Sequence, residues 1–157
     1  MNRPLIRRLP IALAGFAVLL VMATTAVGAT PTSITLTLQG GYSNQYVAKC
    51  GALHHFTMYH VNTKLTMDGT VSPTPPFPDG AWKVKIKIEK CVLGVWKLIA
   101  QPHVLGNQTL VNGVKTAVFK YTRFLGINRG FFHARAYYYT TTTTWIESTD
   151  EHFHVTY

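Results

Sequence analysis

Histidine is the residue type whose chemistry this chain leaves most open. All seven histidines lie between His54 and His154. His152-x-His154 puts two imidazoles on one face of any strand that holds them, and His133 sits on an earlier stretch that would pair with theirs. His133, His152 and His154 are therefore one set that could ligate zinc or copper. Cys50-x3-His54-His55 with His60 forms a second cluster, provided Cys50 is not spent in a disulfide. Neither set has the tight four-ligand spacing of a zinc motif, and exposed strand positions carry histidine without any metal.

The register of the last two strands decides what the first set can do. A hairpin folded about Thr143-Thr144 would place His133 opposite His154 with His152 close by. A turn centred near Trp145 would move His133 toward Thr156 and bring the tyrosines opposite the histidines. The second is favoured here, because the long run Thr140 to Thr144 leaves Trp145 free to cap the hairpin.

Carboxylates offer less. There are six, and the neighbours Asp150 and Glu151 point to opposite faces of a strand. No Gly-x-Ser-x-Gly turn, glycine-rich phosphate loop or His-Glu-x-x-His pair occurs. A pair such as Asp68 and Glu147 would have to meet through the fold. The expectation is a non-enzymatic protein with no cofactor.

Aromatic and cationic residues point elsewhere. If the last two strands pair, with the lysine-rich strand on the other side of the Phe132 strand, one outer face collects Lys83, Lys85, Lys87, Phe131, Arg135, Tyr137 and Tyr139 beside the histidines. Rings next to cations suit stacking on sugars and pairing with phosphate or carboxylate. The plainer explanation is cross-strand packing that stabilises a sheet without a ligand.

The elements that must position these residues are strands. Ile34, Leu36 and Leu38 alternate with threonines, and Leu65, Met67 and Val71 alternate around Gly69. Pro73 to Gly80 holds four prolines and excludes helix or central strand. Val84, Ile86 and Ile88 alternate with Lys83, Lys85, Lys87 and Glu89, giving an apolar inner face and a lysine row outside. Gly94, Gly106-Asn107 and Asn112-Gly113 read as turns. Ala117, Phe119 and Tyr121 share a face. Phe132, Ala134, Ala136 and Tyr138 point inward, with Phe131, His133, Arg135, Tyr137 and Tyr139 outward. Phe153, Val155 and Tyr157 close the pattern inward. Beyond the N-terminal apolar run, no helical period appears. The faces within 40–62 stay unassigned, though an added strand or hairpin fits.

The run Gly69-Thr70-Val71-Ser72-Pro73, the strand from Trp82, the turn Gly94-Val95-Trp96-Lys97 and Gly130-Phe131-Phe132-His133-Ala134-Arg135-Ala136-Tyr137-Tyr138 resemble secreted bacterial immunoglobulin-like domains. The likeness covers about Lys64 to Tyr157. It implies an immunoglobulin-like antiparallel β-sandwich of about seven to nine strands, used as a spacer, adhesion or binding module. The chain departs from that pattern in standing alone and in its long 40–62 segment.

The N-terminus reads as a secretory signal over 1–29. Arg3, Arg7 and Arg8 precede the apolar run Ile11 to Ala23, and Val27 and Ala29 are small residues before Thr30. An uncleaved membrane anchor is the competing reading. Cleavage leaves Thr30 to Tyr157, the length of one domain. Cys50 and Cys91 are an even pair, most simply a disulfide in an oxidising compartment, with two free thiols as the alternative. The net charge of +9 at pH 7 includes the leader arginines, and the moderate excess that remains favours anionic partners such as cell-wall polymers or headgroups, or simply solubility. The leading expectation is a secreted, extracellular module for a polymer, glycan or surface protein, with no nucleic acid and no membrane after cleavage. A histidine-based metal-binding protein comes second. Ligand identity and oligomeric state stay open.

Overall fold

A computed structural model describes residues 33–73, 83–139 and 145–157. The expected signal peptide 1–29, the start at Thr30, all but the first residue of the proline-rich loop and the Thr143-Thr144 turn lie outside the described residues, as do the side chains of Lys83 and Tyr139.

The described residues form twelve strands and no helix. They are β1 (Ser33–Ile34), β2 (Thr37–Gln39), β3 (Ser43–Lys49), β4 (Ala52–His60), β5 (Lys64–Ser72), β6 (Lys83–Val92), β7 (Val95–Ala100), β8 (His103–Val111), β9 (Val114–Phe124), β10 (Gly130–Tyr139), β11 (Trp145–Glu147) and β12 (Glu151–Thr156). The count exceeds the expected seven to nine because short strands flank the main ladders: β2 on β5, β7 on β6 and β11 on β10.

One hydrogen-bonded path, β1-β5-β9-β8-β6-β10-β12-β4-β3, runs through the molecule. Its pairings are antiparallel except β12 with β4, so the sheet is mixed. β8 changes partner part-way along: His103 to Leu105 pair with β6, and Gly106 to Val111 pair with β9. Gly106-Asn107, expected as a turn, is therefore mid-strand, at the residue where the chain passes from one ladder to the next. Asn112-Gly113 is the true reversal between β8 and β9.

Past β8 the path folds back. β1, at one end, reaches β10 and β11, and a single apolar cluster draws on both halves: Leu65, Met67, Val71 and Phe119 from one, Val84, Ile86, Ile88, Phe132, Phe153 and Val155 from the other. The alternation in the sequence is what aims these side chains at a common interior, and each buried aliphatic or phenyl group contributes about 1.5–3 kcal/mol. Gly69 is part of that packing, since a Cβ there would lie 2.2 Å from the Phe119 ring and from the Thr35 carbonyl. One expected core residue falls outside. Tyr157 is 74% exposed, because β12 ends at Thr156, and its ring instead carries the Arg129 guanidinium at 3.8 Å.

Candidate functional site

The second face of β6, β10 and β12 holds the chemistry, and it is not open. Segment 40–62 is a hairpin, β3 with β4, and β4 docks parallel to β12 from Thr57 to His60. Its turn is tied to the end of β6 by a Cys50–Cys91 disulfide with Cα atoms 5.9 Å apart. The β4 residues before Thr57 overhang β12 and β10. His54 stacks on His152 with centroids 4.0 Å apart, Phe56 meets Phe131 edge-on at 5.0 Å, and Lys49 sits 5.1 Å from the Phe131 centroid. From the other side Trp96 of β7 lies flat on His133, centroids 4.3 Å apart. His133 faces away from the main core, as its outward position in the pattern requires, but it is covered there and only 7% exposed.

The register differs from both expected alternatives. His133 stands opposite His152, and Phe131 opposite His154. Trp145 does not cap the hairpin but pairs with Tyr139 inside it. Between β11 and β12 the ladder slips by one residue, and Ser148 holds the slip: its amide donates to the Ala136 carbonyl and its hydroxyl accepts from the Ala136 amide, each at 3.0 Å. The slip sets Asp150 and His152 on one face beside His133.

Ion pairs fill that face. Glu89 accepts from Lys87 at 2.9 Å and meets His133 Nε2 at 2.5 Å. Arg135 grips Asp150 with two hydrogen bonds of 2.6 Å and reaches Glu147 at 3.2 Å. Burial pushes both Glu89 and Asp150 upward, but the Lys87 and Arg135 bonds, with His133 nearby, hold each below its ordinary value. Lys87 is raised chiefly by Glu89, and Arg135 by Asp150. Burial, reinforced by His54, lowers His152 to about 4, so its imidazole is neutral at pH 7. His154 is lowered by burial and by Lys49.

Three ligand atoms converge here. One from each of His133, Asp150 and His152 lie within 4.8 Å of one another. Glu89 holds His133 Nε2, which leaves Nδ1 as the free nitrogen; it is buried without a hydrogen bond, 3.7 Å from Asp150 Oδ1. His152 Nε2 and His54 Nε2 are likewise buried and unsatisfied. A proton on Nδ1 would be too far from Asp150 for a good hydrogen bond. A cation 2.0–2.2 Å from each atom needs them about 3.4 Å apart in tetrahedral geometry, so the widest separation would close by up to about 1.4 Å.

Of the expected metal set, the structure brings His133 and His152 together and replaces His154, which stacks on Phe131 at 3.9 Å, with Asp150. In the second cluster Cys50 is in the disulfide, His60 bonds the Tyr157 carbonyl, and only His54 reaches the site. Asp68 and Glu147 do not meet: Asp68 is opposite Lys120, and Glu147 binds Arg135. The expected polymer face is divided. Phe131 is under the hairpin, Lys87 and Arg135 are committed to carboxylates, and Lys85 and Tyr137, opposite each other, lie outside the roof. Sequence reasoning missed Trp96, Glu89 and Asp150. For Asp150 a signal existed in Asp150-x-His152-x-His154, whose period of two shares one face. Neither a family model nor a curated protein matches the chain.

Proposed function

We propose that this is an exported, non-enzymatic β-sandwich protein of immunoglobulin-like type that holds one divalent transition-metal ion, zinc or copper, between His133, Asp150 and His152. The observation that carries the reading is the His133 ring: Nε2 is fixed by Glu89 while Nδ1, buried and unsatisfied, faces Asp150. A carboxylate on the far nitrogen is the usual outer partner of a metal-bound imidazole, since it sets the tautomer and raises ligand basicity. A neutral His152 supplies a second lone pair without first losing a proton. The roof of Trp96, His54 and Phe56 limits water and fixes the rings. The disulfide and the N-terminal leader both fit an extracellular address, and intact mass of the secreted product should begin at Thr30.

The test is metal uptake by chelator-stripped secreted protein, read by calorimetry and elemental analysis. One zinc or copper per chain is expected, at least tenfold weaker in His152→Gln and unchanged in His154→Gln, with near-ultraviolet dichroism confirming both folds. Uptake that ignores His152→Gln overturns the assignment.

A second reading, a platform for an anionic polymer or glycan, retains the unroofed margin. Tyr137 lies between Lys85 and Glu147 in one cross-strand row, and Trp145 is half exposed at the next β11 position but one. Trp145→Ala should abolish retention on cell-wall polysaccharide if that margin binds it.

A further inference from the structure

Among the described residues, three reversals place two consecutive residues at positive φ: Cys50-Gly51 (46° and 89°), Leu93-Gly94 (52° and 81°) and Asn112-Gly113 (50° and 79°). Hairpin turns of this hand favour Asn-Gly, because asparagine tolerates the left-handed region and most side chains do not. Asn112 follows the preference, and Cys50 is placed by its disulfide. Leu93 has neither reason. It holds a strained backbone and is 95% exposed, so it breaks the local rule for the turn and the rule for apolar burial together.

Its surroundings give that exposure a direction. The disulfide ties the β3–β4 turn to the end of β6, two residues before the β6–β7 turn, and Leu53 and Leu93 line an open concavity of about 630 Å³ together with Lys49 and Phe131. Leu53 is 69% and Val95 54% exposed at the same end. Segments 46–55 and 90–98 carry Lys49 and Lys97 and no acidic residue, while Lys90 turns away to the Phe132 ring. Neighbouring Glu89 is committed to Lys87 and His133.

We propose that the two stitched turns dock the protein on an anionic lipid surface, with Leu93, Leu53 and Val95 entering the headgroup boundary and the lysines pairing with lipid phosphates. Lipid is the occupant because a few apolar side chains with clustered cations suffice for interfacial binding, whereas a stable protein interface buries 1,200 Å² or more. The basic excess left headgroups as one of several anionic partners, and the exposed leucines at this tip single them out and place the contact.

The experiment is co-sedimentation of the secreted protein with phosphatidylcholine vesicles, with and without phosphatidylglycerol, in chelator so that no metal contributes. Binding is expected only with phosphatidylglycerol. Leu93→Asn, which installs the residue found at Asn112, should weaken it about tenfold while leaving the thermal midpoint equal or higher. Lys97→Gln should weaken it about fivefold. Leu110→Asn, at an exposed leucine near the other hairpin tip, should change nothing. Failure to bind anionic vesicles, or equal binding by Leu93→Asn, overturns the proposal. So does a concentration-dependent dimer that Leu93→Asn abolishes, which would assign the tip to self-association.

Discussion

Phe132 and His133 are neighbours in β10, and the strand sends them into opposite layers. Phe132 joins an apolar interior shared by both halves of the sheet, where Leu65, Met67, Val71, Val84 and Ile86 are fully buried. His133 joins a second layer made of rings and charges: Trp96, His54, Phe56, Phe131, His152, Glu89, Asp150 and Arg135. The first layer is almost wholly apolar, and the Tyr59 hydroxyl in it donates to the Gln39 carbonyl. The second is held by ring stacking, ion pairs and one covalent link, and it leaves imidazole nitrogens unsatisfied at its centre. Unsatisfied buried polar atoms cost about 1–3 kcal/mol each, a cost an apolar layer would not incur. The contrast separates a layer built for stability from one that holds chemistry.

The sharpest way to break this contrast is to mutate both layers equally. Phe153→Ala should cost about 3–5 kcal/mol in urea unfolding, because the interior cannot collapse around the missing ring. Replacing Cys50 and Cys91 with alanine should cost about 2–4 kcal/mol, and hydrogen exchange should localise the loosening to β3 and β4. If exchange instead rises evenly in both layers, they are one cooperative unit and the division is wrong.

A smaller effect addresses the site directly. Glu89→Gln keeps the shape but removes the charge that orients His133, and metal affinity should fall about 10- to 100-fold with little change in melting temperature. Equal affinity would make Glu89 a structural partner only.

pH should separate the layers by direction. Burial raises Tyr59, in the apolar interior, to about 12, so its stabilisation is present below pH 10 and is lost as pH climbs toward 12. Glu89 and Asp150 are lowered, so theirs is present above their unfolded values and lost as pH falls through the lower folded ones. In chelator, the second layer should therefore fail first in acid, read by Trp96 fluorescence, and the interior first in alkali, read by tyrosinate absorbance. The least effect is expected from Glu147→Gln, about 0.2–1 kcal/mol, since its bond to Arg135 is partly solvated.

Much of the first layer is legible in the sequence. The alternations Leu65-Met67-Val71, Val84-Ile86-Ile88 and Phe132-Ala134-Ala136-Tyr138 name the buried faces, and all are buried as expected. The second layer is not legible by the same means. Period two tells which residues share a face, and it is silent on what lies over that face. His133 reads as outward and is outward, but the hairpin and Trp96 cover it. The register of β10 with β12 depends on Ser148 occupying two backbone groups of Ala136, a local detail with no periodic trace. Gly106 shows the converse limit, since a glycine beside an asparagine marks a change of strand partner here and not a reversal.

The parallel seam between β4 and β12 imposes an order of assembly. Phe153 pairs with Thr57, so the second strand of the early hairpin finds its neighbour only when the last residues of the chain are present. Under the proposed export, N-terminus first, Cys50 and Cys91 would both be outside before β12 arrives, and the covalent link would close on a hairpin still lacking its docking strand. Contacts of such long sequence separation form late, because the chain entropy between them must be lost first. The unfinished hairpin waits with one edge unpaired, and its last neighbour both completes the sheet and seals the histidine layer. Deleting the final strand would therefore leave a linked, partly folded intermediate, a product whose accumulation in the secreted fraction would report whether the tail has been delivered.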